Sequence, residues 1–135
     1  MRLRISRSAL AGIRAEAASA HPREACGLLF GGADRIVQTS VTANVAEFPE
    51  RRFEIDPAAL FVALKAERTG GPMVAGYWHS HPSGNAMPSL CDAEVAAPDG
   101  KLWLVVAGGD VTGWRAGETG LHGRFEPVVL DVEGA

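Results

Sequence analysis

Met73-Val74-Ala75-Gly76-Tyr77-Trp78-His79-Ser80-His81-Pro82 is the stretch from which the rest of the chain can be read. It opens on small and apolar residues, ends in two histidines one residue apart, and is closed by proline. That is the pattern of a buried strand that stops where solvent can reach it. In extended backbone, residues i and i+2 share a face, with Cα atoms about 6.6 Å apart. His79 and His81 can therefore converge on one zinc ion, while Ser80 points the other way. After the loop Ser83-Gly84-Asn85-Ala86-Met87-Pro88 comes Ser89-Leu90-Cys91-Asp92. Ser89 is placed to cap a short helix running through Ala96, and Asp92, three residues on, shares its helical face. Two imidazoles and the Asp92 carboxylate would leave the fourth tetrahedral position to water, as a catalytic zinc requires. The metal lowers the pKa of such a water toward about 7. Hydrolysis then needs a carboxylate to carry the proton and a donor for the oxyanion.

Each piece has a plainer reading. Two strand-end histidines need no metal, Ser89 with Asp92 is also an S-x-x-D capping box, and Glu24 alone is an acid at the start of a strand. The combination raises the metal reading above these.

Working outward, residues 2–5 (RLRI) suit a short strand, and Ala9, Leu10, Ile13 and Ala17 keep helical spacing from about Ser8 to Ser19, with Ser6 or Ser8 as N-cap. Pro22 ends that helix. The run EACGLLFGG reads as a buried strand with a glycine turn, and RIVQTSVTAN as its hairpin partner. Residues 45–52 read as a surface loop and Phe53–Ile55 as a short strand. Asp56-Pro57 starts a second helix that Gly70 stops, with Leu60, Phe61 and Leu64 as its apolar stripe. KLWLVVA and VTGWRAG flank Gly108-Gly109-Asp110 as a hairpin, and a last strand falls near 121–130. Trp78, Trp103 and Trp114 sit in apolar strands as core or pocket wall. The expected architecture is α/β or α+β: a mixed, mostly antiparallel sheet with two main helices, in one domain over residues 1–135.

Composition narrows the function classes. The 135 residues, 47% apolar and 21% charged, are those of an ordinary globular chain. The formal charge of −3, without a Lys/Arg-rich run, argues against a nucleic-acid partner. No apolar stretch reaches membrane-spanning length. Arg14 and Glu16 interrupt what would have to be a signal-peptide core ahead of Ala18-Ser19-Ala20. Two cysteines make no disulfide framework, so a reducing cytoplasm is the expected setting.

The run His79-Ser80-His81-Pro82, six residues, Ser89-Leu90-Cys91-Asp92 resembles the signature of the JAMM, or MPN+, metallopeptidases. Pro22-Arg23-Glu24-Ala25-Cys26-Gly27-Leu28-Leu29 is similar to that family's glutamate strand, and Asn44 and Phe53 to Pro57 to its middle region. The resemblance implies a curved, cytidine deaminase-like sheet flanked by helices. It implies one zinc per chain on His79, His81 and Asp92. Glu24 would be general base and then general acid toward the water that the metal activates, and Ser89 would help to hold the oxyanion. It further implies a peptidase or isopeptidase like the small bacterial members, cutting after the C-terminal Gly-Gly of ubiquitin-like or sulfur-carrier proteins. Residues 45–52 and Ser83–Pro88 would flank the groove.

Rival readings are a non-catalytic MPN scaffold, a cell-wall type of peptidase, and a closed Cys2His2 zinc site using Cys26 and Cys91. Adjacent helical residues lie about 100° apart, so Cys91 should face away if Ser89 and Asp92 face the metal. Cys26 suits a core position. A serine hydrolase on Ser80 or Ser89 lacks the G-x-S-x-G elbow. His21 and His122 belong to no spaced group, and Gly70-Gly71 and Gly108-Gly109 read as turns rather than phosphate loops.

Overall fold

The computed structural model describes residues 1–134. Its strands are β1 (Arg2–Ser6), β2 (Cys26–Gly31), β3 (Arg35–Thr39), β4 (Met73–Ser80), β5 (Leu102–Ala107), β6 (Asp110–Leu121) and β7 (Phe125–Glu133). The helices are α1 (Arg7–Ala20), α2 (Pro57–Arg68) and α3 (Leu90–Val95). One curved sheet runs β3-β2-β4-β5-β6-β7-β1, and its curl brings β1 back against β3 through Arg4 and Ile5. The sheet is mixed. Pairings β2–β3, β2–β4, β5–β6 and β6–β7 are antiparallel, whereas β4–β5, β1–β7 and β1–β3 are parallel.

Local chemistry accounts for the helices. Ser6 Oγ accepts from the Ala9 N–H at 3.2 Å and starts α1. Asp56 Oδ1 accepts from the Ala58 N–H at 3.0 Å, with Pro57 leading α2. Gly70 follows at φ +98, a conformation that costs glycine little. The stripe expected on α2 is only partly used. Leu60 and Leu64 are half-buried against the sheet, but Phe61 keeps 61% of its surface exposed. Residues 53–55 form a single bridge, Asn44 to Ile55, instead of a strand. The last strand lies further on than expected, because β6 runs to Leu121.

Both sheet faces are covered near the site, so β5 is a continuous apolar run rather than an alternating one. Leu102, Leu104 and Val106 pack with Trp78, Leu29, Ile5 and α1 on one face. Trp103 and Val105 pack with Trp114, Phe125 and Ala96 on the other. Trp78 is fully buried, and its Nε1–H donates to the Ser40 carbonyl at 2.8 Å. The parallel step from β4 to β5 demands a crossover connection. That crossover carries α3 back over the C-terminal end of β4, where the histidines are.

Candidate metal centre

The centre is built from three segments: the end of β4, the first turn of α3, and the residues just before β2. His79 lies in β4 and faces the Trp103 side of the sheet, stacked on Phe53 with ring centroids 4.2 Å apart and 19° between planes. His81 follows the strand. Their Nε2 atoms are 2.9 Å apart, and Asp92 Oδ2 lies 3.0 Å from the first and 3.1 Å from the second. All three residues are buried, as is Glu24.

Asp92 is placed by its helix cap. Ser89 Oγ accepts from the Asp92 N–H at 3.0 Å, and Asp92 Oδ2 accepts from the Ser89 N–H at 2.9 Å. The capping box and the metal reading are thus one arrangement, because the capping oxygen is also the one that faces the histidines. The Ser89 hydroxyl hydrogen stays free to donate elsewhere.

Whether this cluster suits a cation follows from its lone pairs. Nδ1 of His81 lies 2.7 Å from the Asn85 carbonyl oxygen, which can only accept, so Nδ1 carries the hydrogen. In the neutral ring, Nε2 then presents a lone pair to a carboxylate oxygen. Two electron pairs at that separation, away from water, need a positive charge between or upon them. The titration behaviour agrees. Burial pushes His81 down, but its bonds to Asp92 and Asn85 and the nearby carboxylates outweigh that and leave it raised. Burial lowers His79. Burial pushes Asp92 up, yet its contacts with both histidines and the Ser89 N–H hold it well below the usual carboxylate range. Two imidazole nitrogens and one carboxylate oxygen are a donor set that zinc accepts.

Glu24 supplies a second carboxylate. One carboxylate oxygen lies within 4.8 Å of ring nitrogens of both histidines. Its Oε1 is buried and has no hydrogen-bond partner among the described residues. Burial raises its pKa from 4.5 to about 7, with His81 pulling it down and Asp92 pushing it up. Glu24 does not stand in a strand; it precedes β2 by two residues. Ser80 faces away from the histidines, as expected, and its Oγ accepts from the Ala25 N–H at 2.8 Å. It therefore helps to set where Glu24 sits, a role its place between two histidines does not signal in sequence.

Two hollows meet at the cluster. A cleft of about 510 Å³ runs from Asp92 between the 46–55 loop and α3, walled by Phe48, Phe53, Val95 and Trp103. A cavity of about 310 Å³ lies beyond, bordered by Glu24, Glu50, Arg51, His81 and Ser89. Residues 45–52 and 83–88 flank these two spaces. The cysteines are free, with Cys26 in the core and Cys91 on the cleft wall, so they close no Cys2His2 site. His122 is exposed, and its Nε2 lies 3.0 Å from the Pro88 carbonyl oxygen. His21 is also exposed.

A curved mixed sheet that brings two histidines and a carboxylate to one point, with a buried glutamate beside them, defines a zinc hydrolase of the JAMM metallopeptidase class. Residues 6–117 match the family described as prokaryotic homologs of the JAB domain, and the chain belongs to that family. A desampylase of Haloferax volcanii is 35% identical over 73% of this chain and 72% of its own length. A probable TtuB-protein conjugate cleaving protease of Thermus thermophilus is 34% identical over 70% of this chain and 63% of its own. The solution structure of a Desulfitobacterium hafniense protein superposes with a TM-score of 0.76 at 27% identity, covering 98% of this chain and 94% of that one. No helix among the described residues is long and apolar enough to cross a membrane.

Proposed function

We propose that this chain is a zinc-dependent isopeptidase that cuts the amide bond after the C-terminal Gly-Gly of ubiquitin-like or sulfur-carrier proteins, using the whole of residues 1–135 as one catalytic domain. The observation that carries the reading is the convergence of three buried metal-binding atoms next to a buried carboxylate with no partner. The relatives named for conjugate cleavage support the substrate class.

His79, His81 and Asp92 hold the ion. When bound, zinc supplies Lewis acidity that makes water a nucleophile near neutral pH and polarises the scissile carbonyl. Glu24 takes one proton from the attacking water at its partnerless oxygen and returns it to the leaving amine as the C–N bond breaks. The free Ser89 hydroxyl hydrogen donates to the oxygen that becomes negative. A Gly-Gly tail, lacking side chains, threads the 510 Å³ cleft toward Asp92, and the leaving amine occupies the 310 Å³ cavity that Glu24 borders. The protein works in the cytoplasm, on protein substrates rather than nucleic acid or membrane.

The test is cleavage of ubiquitin-like and sulfur-carrier fusions, compared with Glu24→Gln. Loss of cleavage on chelation and in the variant, with zinc still bound by the variant, supports the assignment. A zinc-loaded protein that leaves every Gly-Gly fusion intact sinks the substrate class and favours the non-catalytic scaffold.

A further inference from the structure

We propose that Asn44 is a positioning residue that locks the cleft loop to the backbone of Glu24; this rests on the reading in which Glu24 handles the proton. No sheet ladder holds Glu24, so its peptide groups must be satisfied elsewhere. Its N–H donates to the Pro49 carbonyl at 2.7 Å, and its carbonyl accepts from Asn44 Nδ2 at 2.9 Å. Both partners belong to the loop between Asn44 and Ile55.

The Asn44 side chain spans that loop. Nδ2 also donates to the Arg52 carbonyl at 3.1 Å, while Oδ1 accepts from Ala46 N–H at 3.0 Å and Glu54 N–H at 3.1 Å. Its two donors and two acceptor sites are thereby filled, a set that aspartate and serine cannot reproduce. The same loop supplies Phe48 and Arg52 to the cleft and Glu50 and Arg51 to the cavity. On its other side, Glu24 is fixed through Ala25, whose N–H donates to Ser80 Oγ and whose carbonyl accepts from the Ser80 N–H. The carboxylate has no bond at Oε1, so its aim follows the backbone. One clamp is the rigid sheet; the other is the loop that lines the substrate path.

The zinc-loaded enzyme and its Asn44→Asp and Asn44→Ala variants are compared on a Gly-Gly fusion. Asn44→Asp keeps the acceptors for Ala46 and Glu54 and removes the donor to Glu24. Zinc should stay at one per chain, kcat should fall about 10–100-fold, and KM should change less than about three-fold. In a Glu24→Gln background the added Asn44→Asp should alter the residual rate less than about two-fold, since the residue acts through Glu24. A loss that falls on KM, or that multiplies fully in the Glu24→Gln background, overturns the proposal. If the natural enzyme cleaves no such fusion, the functional reading fails, and amide exchange decides the positioning role alone. Exchange at the Glu24 N–H should then speed up at least about ten-fold in both variants while Leu104 and Val105 stay protected; unchanged protection at Glu24 refutes it.

Discussion

Replacing Glu24 with glutamine should stabilise the metal-free protein at pH 8 while removing most of the zinc-loaded enzyme's activity. Glu24 is 5% exposed, its Oε1 lacks a partner, and burial moves its pKa from 4.5 to about 7. A displacement of that size corresponds to about 3 kcal/mol, reduced to about 2 kcal/mol because the residue borders a water-accessible cavity. The unfolded chain gives up the proton near pH 4.5 and the folded chain only near 7, so the folded state binds the extra proton between them. Stability is therefore intact below the unfolded value and is lost as pH rises through the folded one. Glutamine cannot ionise and escapes that loss. Urea unfolding of both proteins in chelator at pH 4 and pH 8 measures the effect. The variant should match the natural protein at pH 4 and exceed it by about 2 kcal/mol at pH 8. An equal difference at both pH values, or a less stable variant at pH 8, would show that Glu24 is paired rather than desolvated.

Other consequences are equally direct. His81→Ala should lower bound zinc from one per chain to none after desalting, read by elemental analysis, and cleavage should vanish with it. Ser89→Ala removes a helix cap and, in the proposed mechanism, the oxyanion donor. It should cost about 1 kcal/mol in urea unfolding and roughly 10²-fold in kcat, and a loss of stability without a loss of rate would confine Ser89 to capping. Gly76→Ala would drive a Cβ into the Leu102 backbone carbonyl, where β4 pairs with β5. It should destabilise by at least about 2 kcal/mol, and an alanine variant that melts with the natural protein would mean the two strands can part.

The parts of the site that were legible in sequence are those encoded locally. A strand-end histidine pair and an S-x-x-D cap each need only a few residues of fixed geometry, and the structure brings both to one point. Glu24 was different. Its distance from the histidines depends on backbone bonds to Asn44 and Pro49 and, through Ala25, to Ser80, which no spacing in the chain reveals, so only the likeness to a known family could place it. The curl that sets β1 between β7 and β3 was also hidden, because pairing partners far apart in sequence leave no local mark. Phe61 shows the opposite failure. It keeps the helical period of Leu60 and Leu64, but contacts with the sheet reach only the neighbouring arc of α2.

Helix α3 has six residues, too few to persist without help. Its first turn is fastened by the Ser89–Asp92 capping box, and one of the two capping oxygens, Asp92 Oδ2, also faces the two histidines. An ion at that point acts as a rivet between the helix and the end of β4. Cys91, Val95 and Ala96 of the same short segment form one side of the cleft. Losing an ion bound there would therefore loosen the cleft wall as well, and a ligand that braced that wall would tighten the hold on the ion by the same factor. Under the proposed function, substrate and metal would each favour the other's binding, so scarce zinc would be shared unequally, toward the molecules already engaged with a tail.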